Sequence, residues 1–222
     1  MKKVKKSRNV SWAQLLTVIL TPSILLNAIL LTKQPTPEQG TLVEGVIDGD
    51  TLVLAGKTRV RLRQMDAPEL EYCGGEEAKK ALEELVLNKK VVLSELIPDQ
   101  RGRGMALVYV GDRLVNEAML KSGWARFHHD TTSKNEELKQ TAKRVESEEL
   151  GLFAKCQSQD TPDKEGCVVK GNIDPQGGTK RYYVPGCAQY KYTIVEKDLG
   201  EAWFCSEKEA VKAGYVKAAT CK

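Results

Sequence analysis

Apolar positions between Thr41 and Leu114 recur in short, β-branched, partly alternating runs: "TLVEGVI", "TLVLA" and "TRVRLRQ", with Asp-Gly or Gly-Lys between them. Period-2 runs bounded by such turn residues predict strands joined by tight turns. The period then changes. In "GEEAKKALEELVLN", Ala78, Ala81, Leu82 and Leu85 fall at i, i+3, i+4 and i+7, which predicts an amphipathic helix. "KVVLSEL" and "MALVYV" return to strand character, and "VNEAMLKSG" reads as a short helix ended by Gly123. "WARF" reads as a brief extended piece, and "SKNEELKQTAKRVESEELG" as a long helix with Leu138, Ala142 and Val145 on one face. Short strands with interspersed helices predict a mainly β fold with α elements, a small five-stranded barrel of OB type with helical packing.

The ends of the chain follow other patterns. "VSWAQLLTVILTPSILLNAILLT" is a long apolar run behind the basic flank "MKKVKKSRN". It is long enough to cross a bilayer. The lysine cluster predicts that the N-terminal end stays cytoplasmic and the rest is exported. No small-x-small cleavage site follows, so an uncleaved signal anchor is favoured; cleavage would give a secreted protein. "KQPTPEQG" then reads as a spacer. The expected organisation is an anchor and spacer over 1–40, a barrel domain over 41–156, a polar linker "QSQDTPDKEG" over 157–166 and a small cysteine-containing α+β module over 167–222.

Charge changes the picture less than the total implies. The 222 residues carry a formal +4, but Lys2, Lys3, Lys5, Lys6 and Arg8 account for more than all of it, leaving 29 basic and 30 acidic groups. Binding to a polyanion must therefore come from a local site rather than bulk charge. The six cysteines, Cys73, Cys156, Cys167, Cys187, Cys205 and Cys221, fit export, where an even number predicts disulfides. No C-x-x-C pair is present, which weakens a zinc reading. Cys73 opens the first helix region and Cys156 closes the barrel domain, so a bridge between them would tie the end of the domain to its body.

The candidate chemistry is concentrated in "VIDGDT" (Val46–Thr51) and "RLRQMDAPE" (Arg61–Glu69). Asp48, Asp50, Asp66 and Glu69 lie close together, with Arg59, Arg61 and Arg63 between them. An Asp-Gly-Asp is often only a turn, and alternating arginines usually make a solvated face. The sharper reading sets Asp50 and Asp66 at neighbouring strand ends as hard oxygen ligands for Ca²⁺. Arg61 then sits close enough to fork onto a phosphate, and Glu69 close enough to reach a water. Together these make a metal-assisted phosphodiester hydrolase design.

Those two motifs, with "GRGMALVYV" (Gly102–Val110) and "LVNEAMLKSGWA" (Leu114–Ala125), resemble the staphylococcal nuclease (thermonuclease) family in order and spacing, over about Thr41 to Ala154. The resemblance implies a five-stranded OB barrel with three helices and Ca²⁺-dependent, sugar-nonspecific hydrolysis of DNA and RNA. By the same resemblance Asp50 and Asp66 are metal carboxylates and Ala67 lends its backbone carbonyl. Glu69 is the general base, and Arg61 and Arg103 hold and neutralise the phosphate. The chain departs from the family at Gln100 and Arg101, where Lys-Tyr is usual, and at His129 and Thr131, where two tyrosines grip the base and terminal phosphate. Arg101 is expected to bind substrate through another phosphate contact. His128 and His129 read as solvent-facing rather than as a zinc pair. A non-catalytic nucleic-acid-binding or envelope-binding barrel is the rival reading. The presence of Asp50, Asp66, Glu69, Arg61 and Arg103 together favours the enzyme.

"YYVPGC" followed by "AWFCSEKEAVKAGYVKAATC" is similar to the small zinc-binding domain of Ada-type DNA repair proteins. Cys187 and Cys221 match one cysteine of each ligand pair, while Tyr183 and Ala218 stand where the other two would be. The resemblance implies that the two survivors lie close, so that they pair as a disulfide without zinc. Cys167 and Cys205 are then left to pair. Four cysteines allow three connectivities, and zinc held by all four thiolates is the alternative. The aromatics of this unit are expected in its core. No protein partner is inferred.

Overall fold

The computed structural model describes residues 40–175 and 177–221. The apolar run expected to anchor the chain lies outside those residues, and no helix among the described ones is long and apolar enough to cross a membrane.

The β-branched runs form Thr41–Val46 (β1), Thr51–Leu54 (β2) and Thr58–Leu62 (β3). Met65–Asp66 (β4) follows, then Gly75–Val86 (α1), Lys90–Pro98 (β5), Gly104–Val110 (β6) and Arg113–Leu114 (β7). Val115–Ser122 (α2), Arg126–Phe127 (β8), Asn135–Ser147 (α3) and Leu152–Lys155 (α4) come next. Strands β3, β2, β1, β5 and β6 hydrogen-bond in that order, and β3 also pairs in parallel with β6, which closes a five-stranded barrel. Period 2 sends Leu52, Leu54, Val60, Leu62, Ala106 and Val108 inward, where Leu82 and Val86 of α1, Met119 of α2 and Leu138 of α3 meet them. Burial of this kind is the main stabilising term in such a domain.

Gly49 of the Asp-Gly-Asp turn is fixed by packing. A Cβ there would stand 2.5 Å from the Cβ atoms of both Ala67 and Ala78, so only glycine lets the turn lie against the acidic loop and α1. At Gly75 a Cβ would collide with the backbone oxygen of Glu69, so α1 starts directly on the loop that carries Glu69.

Three local expectations need correction. Asp66 does not end the arginine-bearing strand. That strand stops at Leu62, Gln64 takes a left-handed φ of 61°, and Asp66 lies in the separate strand β4. Arg63 is not on a solvated face but is only 5% exposed. The long helix stops at Ser147, because Glu149 and Gly151 both adopt positive φ and the chain doubles back so that Leu152 N–H donates to the Gly123 carbonyl at 2.9 Å.

Beyond the barrel, Gln157–Ser158 (β9) pairs with Val195–Glu196 (β12), so the polar stretch after Cys156 begins as a strand. Val169–Ile173 (β10), Lys180–Tyr183 (β11), Trp203–Phe204 (β13) and Val216–Lys217 (β14) make a four-stranded sheet in the order β13-β10-β11-β14. Glu207–Lys212 (α5) covers it, capped by the Ser206 hydroxyl, which accepts from Glu209 N–H. Its core is Val169, Tyr182, Ala210 and Tyr215. Tyr192, by contrast, is 69% exposed, so the aromatics are not all core. Lys170 is fully buried; its Nζ donates to the carbonyls of Tyr190 and Thr193 at 2.8 Å each and lies 4.5 Å from the Tyr190 ring centre. Disulfides Cys167–Cys205 and Cys187–Cys221 brace this sheet, and Cys73–Cys156 ties the loop before α1 to the end of α4.

Candidate active site

A cleft of about 730 Å³ opens beside β3, β4 and the loop between β5 and β6. Arg61, Asp66, Glu69, Arg101, Arg103 and His129 all line it. The β2–β3 register sets Thr51 opposite Arg61, which brings Asp50 beneath the guanidinium although eleven residues separate them.

Arg61 forks across the two acids. Its Nη1 donates to Asp50 Oδ1 at 2.5 Å and its Nη2 to Asp66 Oδ1 at 2.7 Å. Asp50 is 2% exposed. Its Oδ1 also accepts from the Thr51 hydroxyl, and its Oδ2 accepts from the Ala67 N–H at 3.1 Å. Burial pushes its carboxyl up to about 7, against the opposing pull of Arg61. Arg61 thus does not fully offset the cost of burying this charge. Asp66 is about half exposed and has His128 Nδ1 at 3.1 Å from its Oδ2. Glu69 is exposed at the cleft, beyond the buried Pro68.

The opposite rim is built by Asp99. Its Oδ1 accepts from the backbone N–H groups of Arg101 and Arg103, and its Oδ2 accepts from Arg103 Nε at 2.7 Å. Slight burial works to raise the Asp99 carboxyl, but these donors outweigh it and hold the group below its usual range. The turn leaves the terminal nitrogens of Arg103 free of Asp99.

The floor comes from residues that sequence reasoning missed. Arg63 Nε donates to Asp130 Oδ2 at 2.6 Å, its Nη1 to the Glu95 carbonyl and its Nη2 to the Thr131 carbonyl. The Gln64 amide donates to the Asp130 carbonyl and to Asn135 Oδ1. These bonds fasten the segment after β8 under the cleft. Arg63 carried no distinguishing signal, since it continues the alternation of Arg59 and Arg61. Asp99 did carry one, as an aspartate opening a Gly-containing turn. Thr131 supplies a carbonyl to Arg63 and does not line the cleft, whereas His128 and His129 do.

The oxygen donors on the acidic side are Asp66, exposed at the cleft, and Asp50, which is buried behind Arg61 and does not itself line the cleft. That chemistry fits a hard divalent cation such as Ca²⁺ with waters completing its shell. Among the described residues, no group of three or more His, Cys, Asp or Glu side chains is arranged to hold a metal.

The fold is thus a closed barrel whose cleft carries Arg61 with Asp66 on one side and Arg101 with Arg103 on the other. Comparison with known sequences then identifies the family. A profile described as "Staphylococcal nuclease homologue" matches residues 59–155. An "Uncharacterized endonuclease" of Haemophilus influenzae is 32% identical over 144 residues, 61% of this chain and 78% of that protein. A "Probable staphylococcal-like nuclease CAN3" of Oryza sativa subsp. japonica is 36% identical over 105 residues, 47% of this chain and 28% of that protein. "Protein ParB" of Escherichia coli is 38% identical over 117 residues, 46% of this chain and 66% of that protein. The chain spans between 28% and 32% of the length of the rice relatives it matches. The chain belongs to the staphylococcal nuclease homologue family.

Proposed function

We propose that the chain hydrolyses phosphodiester bonds of DNA and RNA in a Ca²⁺-dependent reaction, outside the cytoplasm, held at the membrane by its N-terminal apolar segment. The observation that carries this reading is the Arg61 fork over Asp50 and Asp66 in a cleft that also presents Glu69 and Arg103. Asp50, Asp66 and the Ala67 carbonyl would hold the cation, which when bound supplies positive charge for a phosphate oxygen and a site for water. Glu69 takes the proton of the attacking water. Arg61 and Arg103 bind the phosphate oxygens and stabilise the charge that grows on them, work for which guanidinium forks are suited. Arg101 holds a neighbouring phosphate. The C-terminal sheet is read as an Ada-type arrangement in which a disulfide between Cys187 and Cys221 stands in for zinc. Support comes from the Tyr183 and Ala218 substitutions and from the pairing of those two cysteines.

The test is incubation of the purified protein with DNA and with RNA, in Ca²⁺ or in EGTA. Cleavage of both substrates only in Ca²⁺ is expected. Equal cleavage in the two buffers would remove the cation from the account.

A further inference from the structure

The β4–β8 ladder sets Met65 opposite Phe127 and Asp66 opposite Arg126. Met65 is buried and Phe127 packs against the barrel core, so that pair faces inward. Alternation then puts Asp66 and Arg126 together on the other face. Directly opposed residues in an antiparallel pair have Cβ atoms about 4.5–5.5 Å apart, close enough for an arginine to seize a carboxylate.

Arg126 does not do so. Its Nε donates to Asp198 Oδ2 at 2.6 Å, and its Nη2 donates to Asp198 Oδ1 at 3.1 Å and to Glu196 Oε1 at 2.9 Å. Its guanidinium lies 5.3 Å from the Phe153 ring centre. Asp198 is buried. Both acids belong to the C-terminal segment, which is fastened to the barrel by the β9–β12 pair and by Lys197 N–H donating to the Cys156 carbonyl at 2.8 Å. Asp66 is left with Arg61 and His128.

We propose that Asp198 and Glu196 are positioning residues for the cation site: they draw Arg126 away from Asp66, so that Ca²⁺ competes for that carboxylate with the Arg61 guanidinium alone rather than with two. The C-terminal unit is then a working part of the nuclease rather than an appendage. The proposal rests on the reading of Asp50 and Asp66 as the Ca²⁺ carboxylates.

The test is calorimetric titration of CaCl₂ into the full-length chain. Asp198→Asn keeps the side-chain shape but frees the Nε side of Arg126, and should weaken Ca²⁺ binding about tenfold, the scale of a unit charge brought close to a partly exposed carboxylate. Glu196→Gln should weaken it in the same direction but less. Removing the freed charge as well, in Arg126→Gln/Asp198→Asn, should bring the affinity back to within about threefold of the parent. A merely structural role predicts the opposite, with the double variant as weak as the single or weaker. Should Asp198→Asn fail to fold, Glu196→Gln and Arg126→Gln/Glu196→Gln carry the same comparison. Unchanged affinity in both single variants, or no recovery in the double, overturns the proposal. A parent protein that binds no Ca²⁺ overturns the cation site and this proposal with it, whereas a binding parent with unaffected variants overturns this proposal alone.

Discussion

Each arginine of the strand-and-turn region has its own task, set by what its nitrogens meet. Arg59 is exposed, Arg61 spans two carboxylates, and Arg63 is buried against Asp130 and two carbonyls. Period 2 alone places Arg59, Arg61 and Arg63 on one side, so the sequence could not separate them. The separation arises from the Gln64 turn, which redirects the chain immediately after Arg63. Arg61→Ala and Arg103→Ala should each lower turnover by about 10² or more, the cost typical of losing a group that stabilises transition-state charge. Arg101→Ala should mainly weaken binding and reduce the slope of log K against log salt by about 1, as expected for a lost phosphate contact. Steady-state kinetics and a salt titration of binding separate the two outcomes. Equal damage to turnover from Arg101→Ala and Arg103→Ala would mean that the Asp99 turn presents the wrong arginine.

At the level of elements, the barrel strands and the α1 periodicity were legible because local pattern and tertiary burial agree: Ala78 and Leu82 are both buried. The break after Ser147 was not, because it depends on Leu152 reaching the Gly123 carbonyl, a contact between segments distant in sequence. The strand at Gln157–Ser158 escaped for the same reason, since a two-residue polar strand exists only through its partner at Val195–Glu196. The Cys73–Cys156 bridge closes a separation of 83 residues and joins the loop after Glu69 to the end of α4. By the loop-entropy account it stabilises the fold by about 4–5 kcal/mol. Replacing both cysteines by alanine should therefore lower the free energy of urea unfolding by several kcal/mol. A change under about 1 kcal/mol would show that α4 and the acidic loop are held by packing alone.

Across the whole molecule, the barrel and the C-terminal sheet meet through ionisable groups that no local pattern pairs. Arg126 with Asp198 is such a case; Glu201 is a buried acid held within the C-terminal unit itself. Glu201 is buried, its Oε1 accepting from Ile173 N–H and Asn172 Nδ2 and its Oε2 from Glu196 N–H. Burial is the main cause that pushes its carboxyl up to about 7, against the two backbone donors. Because the folded value lies above the unfolded one, the folded state binds more protons between about pH 4.5 and pH 7, and stability falls as pH rises through that window. Glu201→Gln, which cannot ionise, should lose that part of the dependence. The melting temperature of the parent relative to Glu201→Gln should therefore drop between pH 5 and pH 8. A constant difference would mean that Glu201 is ionised throughout. Net charge outside the basic N-terminal flank is close to zero, so the proposed affinity for nucleic acid would come from the cleft arginines rather than from a general field.

Whether that cleft cuts or only holds nucleic acid is decided by one paired measurement: equilibrium binding and cleavage of the same labelled DNA, in Ca²⁺, by the parent and by Glu69→Gln. The parent should bind and cut. Glu69→Gln should bind with similar affinity and cut about 10²–10⁴-fold more slowly, the usual cost of losing a general base. Binding without cleavage by the parent, or equal cleavage by both proteins, would contradict the account.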